Sequence, residues 1–199
     1  ENEQPIEHFG YVDGISQPLF FKKDIAKEKT QYWNPEAALD LVLLKDFGTT
    51  EQDCFGSFMV FRKLEQNVKA FKDAEHELAR ELNLIGSAEE AAGALIIGRF
   101  ENGLPVIKYG STTSPEIHSR DNNFNFSLDK EGLRCPFHAH IRKTNPRGDN
   151  KRLFGISEAE EKSHRIVRRG ITYGERKVDK KDHIIESEQP SEGVGLLFI

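Results

Sequence analysis

The sequence is poor in side chains that oxidants attack readily. It contains one Met, two Cys, one Trp and four Tyr, whereas Phe occurs 14 times among 199 residues. Cys54 and Cys135 are too few and too far apart to define a disulfide framework, so two buried free thiols are the ordinary interpretation. A structural zinc site normally uses two closely spaced ligand pairs, and the sequence offers only one group, Cys135 with His138 and His140. A single histidine ligand to a larger cofactor remains open.

Long apolar runs are also absent. No stretch approaches the roughly 20 residues that span a bilayer, and the first residues show no charged start followed by an apolar segment, so no signal peptide is visible. With 28 basic and 33 acidic residues the net charge is −5, which argues against a nucleic-acid partner. The missing disulfides and the Lys- and Glu-rich composition favour the cytoplasm.

The hydrophobic pattern predicts one domain of mixed α and β structure. The apolar run 56–64 predicts a buried strand. Asn67 is expected to cap a helix that ends near Leu84, and the capping-box pattern Ser87–Glu90 to open a second helix that ends near Phe100. This order favours α+β or α/β over a helical bundle. We further expect a loop over 1–18, a short helix or strand over 37–47, strands over 104–109, 137–142, 165–173 and 193–199, a loop over 145–152, a helical turn over 157–161 and a charged surface segment over 177–192.

Three segments carry residues suited to chemistry. In Gly10–Gly14 (GYVDG), the flanking glycines permit a tight turn or a close approach to a flat ligand. Asp13 is then free to point into a cavity, or it hydrogen-bonds its own turn.

The second segment is 135–147 (CPFHAHIRKTNPR), which contains two histidines at positions i and i+2. His138 and His140 face one side if they lie on a strand, and the arginines and lysine that follow suit carboxylates or phosphates. A polar edge strand with a solvated basic loop is the alternative.

The third segment is 165–174 (RIVRRGITYG). As a strand, it flanks Arg168 and Arg169 with apolar neighbours on both faces, so at least one guanidinium is partly buried. A buried arginine needs an anionic partner or a ligand, and a structural ion pair is the alternative.

The motifs GYVDG, CPFHAHIRKTNPR, RIVRRGITYG and GVGLLFI, in this order, resemble the dye-decolorizing peroxidase family. The resemblance reaches from Gly10 to Ile199. It implies an α+β fold, a ferredoxin-like antiparallel sheet with helices, forming the heme-binding half of a dimeric α+β barrel type fold around heme b. It implies an enzyme that reduces hydrogen peroxide and oxidises dyes or other aromatic donors, and it leaves a homo-oligomer open.

The resemblance also implies roles for individual residues. A neutral imidazole is a common heme ligand, a carboxylate can relay a proton between peroxide oxygens, and an arginine can stabilise the charge on a departing oxygen. His138 stands where the family often has a small residue, which leaves it as a second candidate ligand. The implied assignments are His140 as proximal iron ligand, Asp13 as distal acid–base residue, Arg168 as distal arginine, Arg147 as partner of a heme propionate, and Gly14, Ile15, Leu196 and Phe198 as cofactor-binding positions, with the last two lining the distal pocket.

Family members are longer than this chain. We therefore expect residues 1–199 to be the heme-binding, ferredoxin-like peroxidase domain of a longer polypeptide, without the upstream half and the C-terminal end. The acidic partner of the proximal histidine is then expected beyond Ile199. A heme-binding or heme-handling module without catalysis and a non-heme interaction domain are the alternatives. Candidates for a surface redox relay, against ordinary packing, are Tyr32, Trp33, Tyr109 and Tyr173.

Overall fold

The structure, a computed structural model, describes residues 5–110, 121–175 and 189–199. Short helices and antiparallel strands share these ranges, as the predicted α+β class requires. No helix in the described ranges is long and apolar enough to cross a membrane. The elements are α1 (Lys22–Ile25), a 3₁₀ turn (Leu39–Leu41), β1 (Leu44–Lys45), β2 (Phe55–Gly56), β3 (Arg62–Glu65), α2 (Val68–Glu81), a second 3₁₀ turn (Gly86–Ala88), α3 (Glu90–Ile97), α4 (His140–Thr144), α5 (Asp149–Phe154), α6 (Glu158–Ser163), β4 (Gly170–Tyr173) and β5 (Gly195–Phe198).

The main sheet has β5 at its centre, with β3 and β4 antiparallel on its two sides. The apolar segment 193–199 was predicted as a strand, and β5 confirms that prediction. Leu196 pairs with Leu64 and Thr172, while Phe198 pairs with Arg62 and Gly170. Because directly paired residues share a face of the sheet, Phe198 lies on the same face as Gly170.

The two predicted central helices are present. Asn67 caps α2 as expected, since its side-chain oxygen accepts a hydrogen bond from the Ala70 amide at 2.8 Å. The capping-box prediction for the next helix is wrong, because a 3₁₀ turn precedes α3 and Glu89 occupies the N-cap without a side-chain cap bond. At the other end of α3, Gly98 has φ 96°, and an added Cβ would collide with the side chain of Ile141. Glycine therefore ends α3 and lets α4 pack closely.

The hydrophobic core lies beside α3 and α4. Phe126 and Leu104 at its centre are fully buried, and Ala139 and Ile141 place the start of α4 against it. The position of α4 is thus set by the core. The buried members are Ala94, Phe100, Leu104, Val106, Ile107, Phe124, Phe126, Cys135 and Ala139.

The prediction of a buried strand over 56–64 is wrong. Only Arg62–Glu65 joins the main sheet, as an edge strand, and Phe55–Gly56 pairs separately with β1. The side chains between them are exposed, with Phe58 at 91% and Met59 at 75%. An apolar run in the sequence does not show which element packs against it, and no element of the described residues packs over segment 56–64.

The prediction of a strand over 137–142 is also wrong, because His140–Thr144 is helical. Arg142 is 2% exposed and bound by Asp129 and Asp149, and this tertiary anchor outweighs a short alternation of polar and apolar residues.

The other expectations were met in part. The loop over 5–18 and the helical turn that Ser157 caps are confirmed. Segment 37–47 contains both a 3₁₀ turn and β1. The predicted strand over 104–109 is wrong, because this segment holds a single bridge residue followed by a turn. Two boundaries are also wrong: α5 begins inside the expected loop 145–152, and β4 begins only at Gly170. Most of 177–192 lies outside the described residues.

Candidate active site

The two carboxylate oxygens of Asp13 have different surroundings: Oδ1 contacts its own turn and Oδ2 lies against β4. The Gly14 amide donates to Oδ1 at 2.6 Å, as the interpretation of a self-bonded turn requires. The other oxygen, Oδ2, lies so close to Gly170 that an added Cβ at that position would collide with it. Both interpretations of Asp13 therefore hold, one for each oxygen.

Asp13 borders a cavity of about 200 Å³ above the main sheet. Leu196 lines this cavity, and Phe198 lies on the same face of β5, two residues farther along the strand. The Gly170 position leaves room for the Asp13 carboxylate because it has no side chain. The wall includes Glu7, Asp13, Arg169, Gly170, Thr172 and Leu196.

Arg168 holds the segment that follows Asp13. Its Nη1 donates to the Ser16 carbonyl at 2.6 Å, and the side-chain amide of Gln17 donates to the Arg168 carbonyl at 2.9 Å. Arg168 is half-buried and forms no ion pair with another described residue, so the structural ion pair considered from sequence is not observed there.

Arg147 approaches the same segment from the other side. Its Nη2 donates to Ser16 Oγ at 2.9 Å, and its guanidinium lies 4.0 Å from the Trp33 ring centroid and 3.9 Å from that of Phe124. Burial, and next the cation of Arg99, hold the pKa of Arg147 well below its ordinary range. Its Nη1 donates to the carbonyls of Asn122 at 2.7 Å and Phe124 at 3.2 Å. Its hydrogen-bond partners are therefore neutral, and within the described ranges no carboxylate forms a salt bridge with it, so its charge suits an anionic ligand group.

His140 is the first residue of α4. Like His138, it is exposed to solvent, and its ring makes no hydrogen bond with any described residue. Surrounding protein atoms, and next the Arg168 cation, lower the pKa of His140, while Asp13 acts in the opposite direction. A lowered pKa favours the neutral ring, which has a nitrogen available as a ligand. His138 is exposed and precedes the helix, so the expected common strand face of the two histidines does not exist.

Arg142 anchors the helix that carries His140. It bonds Asp149 through Nε at 2.6 Å and Asp129 through Nη1 at 2.8 Å, and it also donates to the Cys135 carbonyl. The sequence predicted that the basic residues after His140 would bind carboxylates or phosphates. Arg142 does bind carboxylates, but they are those of Asp129 and Asp149 in the same chain.

The remaining predicted positions lie on the turn of Asp13. Gly14 is exposed with φ 72°, and the Ile15 carbonyl accepts from Asn122 Nδ2 at 2.8 Å. The backbone of this turn is thus fixed by Asn122 and by the two arginines that reach Ser16.

Sequence reasoning missed several residues that build the site. Glu7 and Ser16 hold the turn of Asp13, and Gly170 leaves room for its carboxylate. Arg99 is buried beside this group, and burial lowers its pKa to about 10, with Arg168 acting in the same direction. Ser16 lies inside the segment that follows GYVDG, but the sequence carries no signal that pairs any of these residues with its partner.

The donor set fits a heme. A neutral imidazole suits iron, and the buried guanidinium of Arg147, which has no carboxylate partner among the described residues, suits a propionate. A carboxylate and a second arginine lie within electrostatic reach of that imidazole. Fold and site together are those of an α+β protein whose polar groups suit a heme.

Known proteins agree with this class. The chain is 47% identical to the "Multifunctional dye peroxidase DyP2" of an Amycolatopsis species, over all of the chain and 43% of that protein. It is 34% identical to "Dye-decolorizing peroxidase msp1" of Mycetinis scorodonius, over all of the chain and 40% of the relative. The solved DyP2 structure matches with a TM-score of 0.89 over 99% of this chain and 43% of its own. A DyP-type peroxidase of an Anabaena species matches at 0.82, with 43% identity over 98% of this chain and 41% of its own.

Over its whole length the chain is similar to dye-decolorizing, or DyP-type, peroxidases, which are heme enzymes. It spans about two fifths of the length of these relatives. No family model matches it.

Proposed function

We propose that this chain carries the heme b site of a hydrogen-peroxide-dependent dye peroxidase, and that residues 1–199 form the heme-binding domain of a longer protein. One observation supports this most directly. Asp13 and Arg168 come from distant parts of the sequence, yet Asp13 Oδ2 lies against Gly170 of β4, and Arg168, two residues before Gly170, donates to the Ser16 carbonyl in the segment that follows Asp13. A carboxylate and a guanidinium are thereby held on the same short segment, and their charges also act on the pKa of His140.

The chain's own residues suit the two sides of a heme. His140 would ligate the iron, and Arg147 would bind a propionate. Leu196 and Phe198 would exclude bulk water on the side of the cavity. When bound, heme supplies an iron that reduces peroxide by two electrons and recovers them by oxidising donors one electron at a time. Gly14 and Ile15 would complete the wall.

Asp13 would move the proton that peroxide cleavage requires. One peroxide oxygen must lose a proton and the other must gain it, and a carboxylate within hydrogen-bond reach of both can serve as base and then as acid. Oδ1 is engaged by the Gly14 amide, so Oδ2 is the oxygen available for this transfer. The permanently charged guanidinium of Arg168 would stabilise the negative charge on the leaving oxygen.

Bulky donors such as dyes are expected to react at the surface, because the cavity holds only about 200 Å³. Among the relay candidates, Tyr109 has suitable geometry, since its hydroxyl donates to Asp121 Oδ2 at 2.9 Å. Loss of an electron from the phenol can then be accompanied by transfer of its proton to that carboxylate. Trp33 lies 4.0 Å from Arg147 and 5.4 Å from Arg165, and two neighbouring cations disfavour an oxidised indole. Tyr109 has one cation near its ring, Lys108 at 5.7 Å, and that lysine is paired with Asp121. Tyr32 is 53% exposed, and Tyr173 bonds the Leu64 carbonyl at 3.4 Å.

A heme titration followed by peroxide and a dye tests the proposal. We expect a Soret band with stoichiometric heme, its loss in His140→Ala and its retention in His138→Ala, which is the matched control. Added peroxide should then drive dye oxidation. A Soret band without turnover would support the non-catalytic heme module, and no Soret band at all would refute the heme assignment.

A further inference from the structure

Glu7 is a second carboxyl group in the wall of the Asp13 cavity. It is 9% exposed, and in the described part of the chain no cation forms a salt bridge with it. Its Oε1 accepts the Tyr11 amide at 2.8 Å, while Oε2 accepts the Phe9 amide at 2.9 Å and the side-chain amide of Gln66. Neutral N–H donors alone therefore hold this buried carboxylate.

These hydrogen bonds fix the backbone that leads to Asp13. The Glu7 amide also donates to the Tyr11 carbonyl at 3.0 Å, and the Asp13 amide donates to the Pro5 carbonyl at 2.8 Å. Gln66 connects this turn to the sheet. Its side-chain amide bonds Glu7, and its backbone amide donates at 2.8 Å to the carbonyl of Val194, which directly precedes β5. Glu7 thus joins the turn of Asp13 to the sheet under the cavity.

Glu7 and Asp13 also interact through their charges. Burial raises the pKa of Glu7, the N–H donors oppose that rise, and the negative charge of Asp13 adds to it. The groups around Glu7 include the backbone amides of the turn, the side-chain amide of Gln66, Asp13, the Tyr11 hydroxyl and, along the cavity wall, Arg169.

We propose that Glu7 is the positioning residue for Asp13, holding its turn against the sheet and standing as the second carboxyl group of the same cavity. The inference rests on the proposed function, because it matters for catalysis only if Asp13 moves the peroxide proton. Replacement by Gln would keep the size of the side chain but place an N–H donor against an N–H donor of the turn.

A double-mutant cycle on the heme-loaded protein tests this, with the second-order rate of reaction with hydrogen peroxide as readout. We expect Glu7→Gln to slow this step about tenfold or more, since small misplacements of a catalytic group have large effects. In the Asp13→Asn background the same change should have almost no effect. The control is Glu75→Gln, which alters a carboxylate that is 8% exposed and bonds the hydroxyl of Tyr11 instead of its backbone; its peroxide rate should be unchanged.

An equal loss in both backgrounds would overturn the proposal, because Glu7 would then act without Asp13. A folded, heme-loaded Glu7→Gln protein with an unchanged rate would overturn it as well. If Asp13→Asn alone leaves the rate unchanged, the proposed function fails instead.

An infrared pH titration provides a readout that is independent of turnover. The protonated-carboxyl band of Glu7, identified by its absence in Glu7→Gln, should titrate at lower pH in Asp13→Asn, because the neighbouring negative charge is removed. An unchanged midpoint would contradict the shared cavity.

Discussion

The position of the Asp13 carboxylate depends on Gly170, which has no side chain. Its Oδ2 occupies the space where a Cβ of Gly170 would lie, and Leu196 closes the same space from β5. The placement of this carboxylate is therefore a steric property of β4, separable from the chemistry of Asp13 itself.

Gly170→Ala is expected to displace the Asp13 carboxylate without straining the backbone, because Gly170 does not have a positive φ. The peroxide reaction should slow by about 100-fold, while the unfolding free energy changes little. Stopped-flow rates and denaturant unfolding measure the two effects. Gly56→Ala, at a strand glycine with open space around it, should change neither, and an unaffected peroxide rate in Gly170→Ala would contradict this role.

We expect heme retention to depend on pH through the proposed ligand His140. Surrounding protein atoms and the Arg168 cation hold its pKa below the ordinary 6.5, so the imidazole stays neutral, and able to ligate iron, at pH values where a free histidine is protonated. Acid release of heme, followed by Soret absorbance, should therefore have its midpoint below pH 6.5. Arg168→Leu should move that midpoint to higher pH, whereas Arg134→Leu, at an exposed arginine outside the site, should not. A downward shift in Arg168→Leu would contradict the assigned cause.

The five-residue helix α4 is held in place mainly by one buried side chain, that of Arg142. Arg142 holds Asp129 and Asp149 with its side chain 1% exposed, and Ile141 packs against Gly98 at the end of α3. A helix this short has little intrinsic stability, so tertiary contacts keep His140 in position.

Arg142→Met should lower the unfolding free energy at neutral pH by about 3–5 kcal/mol, since it leaves two buried carboxylates without their cation. Denaturant unfolding measures it. Arg152→Met is the control, because that arginine also pairs with Asp149 but its side chain is 26% exposed, and it should cost no more than about 1 kcal/mol.

The effect of Arg142→Met should depend on pH. Burial acts to raise the pKa of Asp129, but N–H donors of Cys135, Arg134 and Arg142 outweigh it and hold the pKa below the ordinary 3.8. The stabilisation is then complete above that pH and is lost as the pH falls through the lower folded-state value. A penalty that grows in acid would contradict this account.

Elements with local signals could be predicted from sequence. Asn67 caps α2 because its side chain bonds its own first turn, and the apolar run at 193–199 forms β5. The same reasoning failed at His140–Thr144, where the deciding contacts come from Asp129 and Asp149. It singled out Asp13, His140 and Arg168 as candidates from local patterns, but only the resemblance assigned them to one site, since residues so far apart in the chain carry no local sign of their proximity. Glu7 and Gly170 were missed because one acts through backbone amides and the other through an absent side chain.

For the whole molecule, heme binding and folding should be coupled. A ligand that binds the folded state and not the unfolded state stabilises it by about 2.7 kcal/mol at a free concentration 100 times its dissociation constant. Added heme should therefore raise the denaturant midpoint of the wild-type protein, and this rise should shrink strongly in His140→Ala but not in His138→Ala. Equal rises in both variants would show that heme binds elsewhere.

The proposed mechanism has Asp13 and Arg168 acting on peroxide beside a heme held by His140. It is tested by the second-order rate of the Soret change after mixing the heme-loaded protein with hydrogen peroxide, for wild type, Asp13→Asn and Arg168→Leu at equal heme occupancy. We expect a fast reaction in the wild type and a loss of roughly 100-fold or more in each variant, in the range expected of general acid–base and electrostatic catalysis. Unchanged rates in both variants would contradict it.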